Sequence, residues 1–340
     1  MPVDFISSIS RRELRAAELS RLFVGGAGAV MLRGDGRVQR LTDAILEWLE
    51  VAERHGPNWQ DPFGKNLVNL ARNHVTGNML LGDILRFEPG RIVHIARKFI
   101  VYERSDDQSL CAIPDRFYVG NRPMSMPCGI KELAAGLMSE VYSSAQPGSR
   151  DFHSSYAIQV EVLIYPSSRS DVEALGHTLA DSCGRWSRWG YLIDAPRNKA
   201  HGIFDVKIVR DVYALCSLLP GVGRWLGMLN TRMTAARTEP IPNDCFLLGR
   251  AHVDEGKYIT ALAGCRDNLQ TEVLDAGAWI PLEVSPDALA VFPSAKMTRF
   301  QGIRATSHRI LLRDSPGCGD VATRNISLAL SIIDRPKWLA

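Results

Sequence analysis

"CFLLGRAHVDEGKYITALAG", Cys245–Gly264, decides how this sequence is read. Two segments rich in apolar and branched residues, Cys245–Asp254 and Lys257–Gly264, meet at a cluster of charge. Each has the length and composition of a strand. At their junction a His and an Asp, His252 and Asp254, stand two residues apart. On a strand, residues i and i+2 point to the same face. Val253 then points away, and the imidazole and the carboxylate can hold one metal ion together.

Downstream of this stretch the pattern repeats. "LQTEVLD" (269–275), "AWIPLEV" (278–284), "ALAVFPS" (288–294), "SHRILLR" (307–313) and "RNISLALSIID" (324–334) follow in close succession with turn residues between them. Short strands at such spacing predict an all-β sandwich or barrel. Upstream, "YAIQVEVLIYP" from Tyr156 reads as a strand, residues 170–186 as a capped helix and 202–209 as another strand. Residues 210–233 read as a long apolar helix with a kink at Pro220. The first half reads as helical and mixed. Residues 37–56 and 130–145 carry apolar residues at helical spacing, and the Gly56-Pro57 pair stops the first of these helices. Residues 61–78 and 116–129 are rich in Gly, Pro and Asn and read as loops. The expected organisation is a single domain over 1–340, with a largely helical, mixed part over 1–150 and the β-rich core over 151–340.

Composition narrows the function. A hydrophobic fraction of 46% and a charged fraction of 23% suit a soluble globular enzyme with a sizeable core. The net charge is only +3 and no Lys/Arg block of five or more occurs, so no nucleic-acid partner is expected. The seven cysteines form no C-x-x-C pair, which argues against a zinc knuckle or a disulfide framework. The first residues lack the charged-then-apolar order of a signal peptide, and no apolar stretch is long enough to span a membrane. A cytoplasmic protein with no membrane partner is the expectation. Gly26-x-Gly28 lacks the third Gly of a dinucleotide loop and the Lys-Ser/Thr of a P-loop.

A carboxylate and an imidazole want a third ligand. Two His and one carboxylate form a facial triad that suits Fe(II) and leaves three positions open. His308, in the apolar stretch "GIRATSHRILLR", is the candidate, far enough along the chain to sit on another strand. A structural zinc site would want four ligands, and no Cys is placed to help. His55, His74, His94, His153, His177 and His201 show no metal-ligand spacing among themselves.

These residues carry a resemblance. The stretch from Gly249 to Asp334 resembles the isopenicillin N synthase-like family of non-haem iron oxygenases, most of which use 2-oxoglutarate. "HVDEGKYITAL" is similar to the family's H-x-D and following apolar strand. "LQTEV", Trp279 in "WIPLEV", "ALAVF" and "TRFQGIRATSHRI" match its later motifs in order. The "PVDF" at residues 2–5 looks like its opening strand, and "FVGGAGAVMLRGDG" like a strand leading out of a helix. The resemblance implies a mostly β fold with flanking helices, built on a double-stranded β-helix (jelly roll). It implies His252, Asp254 and His308 as iron ligands, with Fe(II), 2-oxoglutarate and O2 as cofactor and cosubstrates. The expected activity is oxidation of a C–H bond of a small molecule, an amino-acid derivative or specialised metabolite. The family also places an Arg-x-Ser pair on the last strand to bind the distal carboxylate of 2-oxoglutarate. Arg324 and Ser327 are the counterparts, but they are three apart instead of two. A bulge re-aims one of them, or Arg324 acts alone, or Asn325 and Ser327 line the site; Arg309 and Arg313 are alternative cations. The departure keeps open an oxidase like isopenicillin N synthase itself, which needs no 2-oxoglutarate. A jelly-roll binding protein is the reading outside enzymes. Trp186 and Trp189 read as core or pocket lining, and the loop with Arg116, Tyr118 and Arg122 as a cover that meets an anionic substrate.

Overall fold

Two largely antiparallel sheets face each other in a computed structural model of the chain. It describes residues 7–10, 19–25, 28–55, 86–88, 91–114, 129–145, 151–165, 167–168, 241–242, 244–264, 268–313 and 325–339. The readings over 2–5, 61–78, 116–128, 170–186, 202–209 and 210–233 lie outside the described residues, as do Arg324, Trp186 and Trp189.

The core strands are β6 (Tyr156–Tyr165), β7 (Cys245–His252), β8 (Lys257–Ala263), β9 (Leu269–Asp275), β10 (Ala278–Leu282), β11 (Leu289–Pro293), β12 (His308–Arg313) and β13 (Asn325–Asp334). They sort between two sheets as a jelly roll demands. One sheet runs β11-β8-β13-β6 and the other β10-β9-β12-β7. Chain-neighbouring strands cross between the sheets, except at the β9–β10 hairpin, where residues 276 and 277 make the turn; Ala276 and Gly277 both have positive φ. The expected double-stranded β-helix is present, read from strand order alone.

The first 150 residues add strands as well as helices. β1 (Ser7–Ser10) and β2 (Val30–Arg33) extend the larger sheet beyond β11. β3 (Arg86–Glu88), β4 (Arg91–Glu103) and β5 (Leu110–Pro114) extend it beyond β6, giving nine strands. β2 follows helix α1 (Leu19–Gly25), as the family resemblance implied. Helices α2 (Gly36–His55) and α3 (Ile130–Ala145) occupy the segments their periodicity predicted. α3 buries Ile130, Ala134, Leu137, Met138, Val141 and Ala145, a stripe at three- and four-residue spacing. That stripe joins Val38, Leu41 and Ile45 of α2 against the outer face of the larger sheet. Arg37 ties the two helices together, bonding Asp35 at 2.6 Å and Glu140 at 2.8 Å. Burial disfavours its charge, but the two carboxylates outweigh that and raise its pKa above the ordinary arginine value.

Alternation along β13 divides two environments. Ile326, Leu328, Leu330 and Ile332 join the layer beneath the helices. Ala329 joins the inter-sheet layer with Leu262, Ala290, Phe292 and Val273. Asn325, Ser327 and Ser331 share that inward side by the two-residue period. The space between the sheets is therefore apolar in its middle and polar toward both ends of β13, with Ser331 beside Thr260 and Asn325 beside Asn268. Gly264 fixes how close β8 and β13 approach: it has φ +134, and a Cβ there would meet the Ile326 carbonyl oxygen at 2.1 Å.

Candidate metal centre

His308 opens β12 and pairs directly with His252, the last residue of β7. Directly opposed residues project to one side, so the two imidazoles lie together with ring centroids 4.3 Å apart. β12 lies between β7 and β9, and His308 also pairs with Val273 of the inter-sheet layer. Its ring therefore points inward, where Phe292 packs against it at 4.8 Å.

Asp254 arrives by a different route from the one the spacing suggested. β7 ends at His252, so the pair does not share a strand face. Asp254 sits in the turn before β8, where Gly256 takes φ +78. The Asp254 carbonyl accepts a hydrogen bond from the Ala295 amide (3.1 Å), at the start of helix α5 (Ala295–Gln301), which follows the single-turn helix α4 (Phe152–Ser155) in chain order. This brings Oδ1 to 3.9 Å from His252 Nε2. Ligand atoms of His252, Asp254 and His308 all lie within 4.8 Å of one another. Among the described residues this is the one His/Cys/Asp/Glu cluster that could hold a metal ion.

Each carboxylate oxygen of Asp254 has its own donor. Lys257 Nζ donates to Oδ1 at 3.1 Å and Thr260 Oγ1 to Oδ2 at 2.6 Å. Thr260 is buried on β8 and also meets Ser294 Oγ at 2.9 Å and Ser331 Oγ at 3.3 Å. A hydroxyl has one proton. Thr260 gives it to the carboxylate, so the two serines donate to Thr260. Burial pushes the Asp254 carboxyl upward, but Lys257, the two imidazoles and Thr260 overcome it and hold the group well below the usual carboxylate range. His308 is shifted down as well: burial first, then the neighbouring His252, lower its pKa to about 3, although Asp254 opposes them. It is neutral at pH 7. Its Nδ1 lies 3.5 Å from the Thr306 carbonyl, which favours the tautomer with Nε2 bare for a metal.

The residues expected to bind 2-oxoglutarate fall less simply. Arg324 is outside the described residues. Ser327 is buried on the inward side of β13. β13 runs against β6 in unbroken register from Asn325 to Asp334, so no bulge separates Asn325 from Ser327 and the two share a face. Asn325 bonds Asn268 through its side-chain amide at 2.6 Å. The alternative cations are engaged elsewhere. Arg309, next to His308, bonds buried Glu272 at 2.6 Å and stacks on Trp279. Arg313 is exposed and bonds Gln270 at 2.8 Å. Lys257 and Thr260 went unread in the sequence. A lysine opening an otherwise apolar strand three residues after a candidate ligand was the available signal.

No family model matches the sequence, and no curated protein matches it. Solved structures do match in shape. A putative oxygenase from Shewanella oneidensis superposes with a TM-score of 0.46 at 13% identity, over 97% of this chain and 90% of that one. JOX2 in complex with 2OG, Fe and JA gives 0.43 at 13%, over 99% and 78%. AtDAO1, the dioxygenase for auxin oxidation 1 of Arabidopsis thaliana, in complex with 2-oxoglutarate, gives 0.43 at 13%, over 97% and 93%. The double-stranded β-helix of this chain rests on its own strand order, which places two imidazoles and a carboxylate at one end of the roll.

Proposed function

We propose that the chain is a non-haem Fe(II), 2-oxoglutarate-dependent oxygenase that oxidises a C–H bond of a small molecule, acting in the cytoplasm as one domain over 1–340. The observation that carries this reading is the convergence of His252, Asp254 and His308. The donor set fits the metal: two imidazoles and one carboxylate suit Fe(II), and such a triad leaves positions open for further ligands. Fe(II) bound there supplies the coupled oxidation of 2-oxoglutarate to succinate and CO2 by O2, and with it the power to attack a C–H bond. The chain's residues do the rest. Neutral His308 and ionised Asp254 are ready as ligands at pH 7 without losing a proton. Thr260 fixes the carboxylate plane, and Phe292 closes one side of His308 against water. Ser327 offers an inward-facing hydroxyl to a carboxylate, and Arg324 is the proposed charged partner.

The second reading is the oxidase that needs no 2-oxoglutarate. It is favoured by one observation: the residue two before Ser327, on the same inward face, is Asn325, not an arginine. One experiment separates the readings. Protein is mixed anaerobically with Fe(II), then with 2-oxoglutarate. A visible charge-transfer band supports the first, iron uptake without it supports the oxidase, and no iron uptake leaves a jelly-roll binding protein.

A further inference from the structure

Lys257 stands at the entry of β8, where the pairing with β13 slips register between Ser331 and Ile333. Its side chain is only 12% exposed, and its ammonium lies 3.1 Å from Asp254 Oδ1. That oxygen is also the one 3.9 Å from His252 Nε2. A cation held between His252 and this oxygen shares Oδ1 with Lys257. Imidazoles bind metals as neutral ligands, so Asp254 is the only negative charge of the trio and Lys257 cancels it. A divalent ion then carries its full double positive charge in a corner where His308 is buried and Asp254 and Lys257 are each only 12% exposed. Such a corner disfavours a bare ion and favours one that arrives with an anionic ligand.

We propose that Lys257 makes metal binding depend on an anionic ligand: it weakens the affinity for the bare divalent ion and strengthens the coupling between the ion and a dianion on its open positions. This rests on the oxygenase reading and adds to it a residue that sets the order in which the site fills. The coupling is reciprocal, so the ion tightens the dianion by the same factor. Thr260 still holds Oδ2 when Lys257 is replaced, so the carboxylate keeps its orientation.

The test titrates the full-length chain with Mn(II), following free Mn(II) by electron paramagnetic resonance, with and without 2-oxoglutarate as the probe anion. Lys257→Met binds Mn(II) alone at least about tenfold more tightly than the parent, the repulsion that Coulomb's law gives between a single and a double positive charge about 4 Å apart even at the dielectric of water. The factor by which 2-oxoglutarate tightens Mn(II) shrinks in this variant, and Lys257→Arg keeps both parental values. Lys257→Gln repeats the measurement should the methionine variant not fold. Unchanged or weaker Mn(II) affinity in a folded, uncharged variant overturns the inference and leaves the oxygenase reading standing. A parent chain that takes up neither Mn(II) nor Fe(II) overturns both.

Discussion

Replacing Thr260 by Val tests whether the centre is held by its hydroxyl or only by its ligands. The swap keeps the side chain's shape and removes one donor. Thr260 is buried, and Asp254 is 12% exposed, so the lost bond is scarcely replaced by water. A hydrogen bond to a charged group contributes about 1.5–3 kcal/mol. The 2.6 Å Thr260–Asp254 bond belongs toward the upper end, and Ser294 and Ser331 lose their shared acceptor as well. A loss of about 2–3 kcal/mol is expected, read from urea unfolding of metal-free protein with an unchanged slope. With Oδ2 released the carboxylate swings more freely, and Mn(II) affinity falls on the order of ten- to hundredfold. Thr260→Ser restores most of both. If Thr260→Val unfolds within about 0.5 kcal/mol of the parent and binds Mn(II) equally well, the hydroxyl has no part in holding the site.

Alanine at His252, Asp254 or His308 should each abolish Fe(II) uptake measured by metal analysis of the folded protein; retention of stoichiometric iron in any of them removes that ligand. Gly264→Ala forces a Cβ onto the Ile326 carbonyl at a φ that L residues rarely adopt, and should cost on the order of 3 kcal/mol, seen as a large drop in Tm. Stability should fall on acidification. His308 has its folded pKa depressed to about 3, so below its ordinary value of 6.5 only the unfolded chain gains the proton. The loss runs at about 1.4 kcal/mol per pH unit between pH 6.5 and 3, and Asp254, also depressed, adds its share below its ordinary value of 3.8. His308→Gln flattens the upper part of that profile. Ser327→Ala should weaken 2-oxoglutarate roughly tenfold with Mn(II) binding alone unchanged, a split that a merely structural serine does not give.

The eight core strands were largely legible because they are short runs rich in apolar and branched residues with Gly, Pro and Asp in the turns between them. β4 was not. "RIVHIARKFIVYE" mixes basic and apolar residues without clean alternation, and Phe99, Ile100 and Val101 are all buried, so successive residues of both faces are covered. α5 has seven residues, too few for a helical period to declare itself. The clustering of His252, Asp254 and His308 was readable from residue types, yet the geometric reason was different: a turn anchored on Ala295 delivers Asp254, and only a contact distant in sequence reveals it. The inward pairing of Asn325 with Ser327 needed the unbroken register with β6, which residue spacing alone left open.

The order in which strands interleave has a kinetic corollary. β2 finds β11 across more than half the chain, and β13 must slot between β8 and β6, a strand from before residue 170. Closing such distant pairings is slow, and little of the roll can form before the last strand arrives. The triad, drawn from β7, β12 and the turn before β8, assembles late. Added metal should therefore leave the refolding rate nearly untouched and act on the reverse step, lengthening the lifetime of the folded chain.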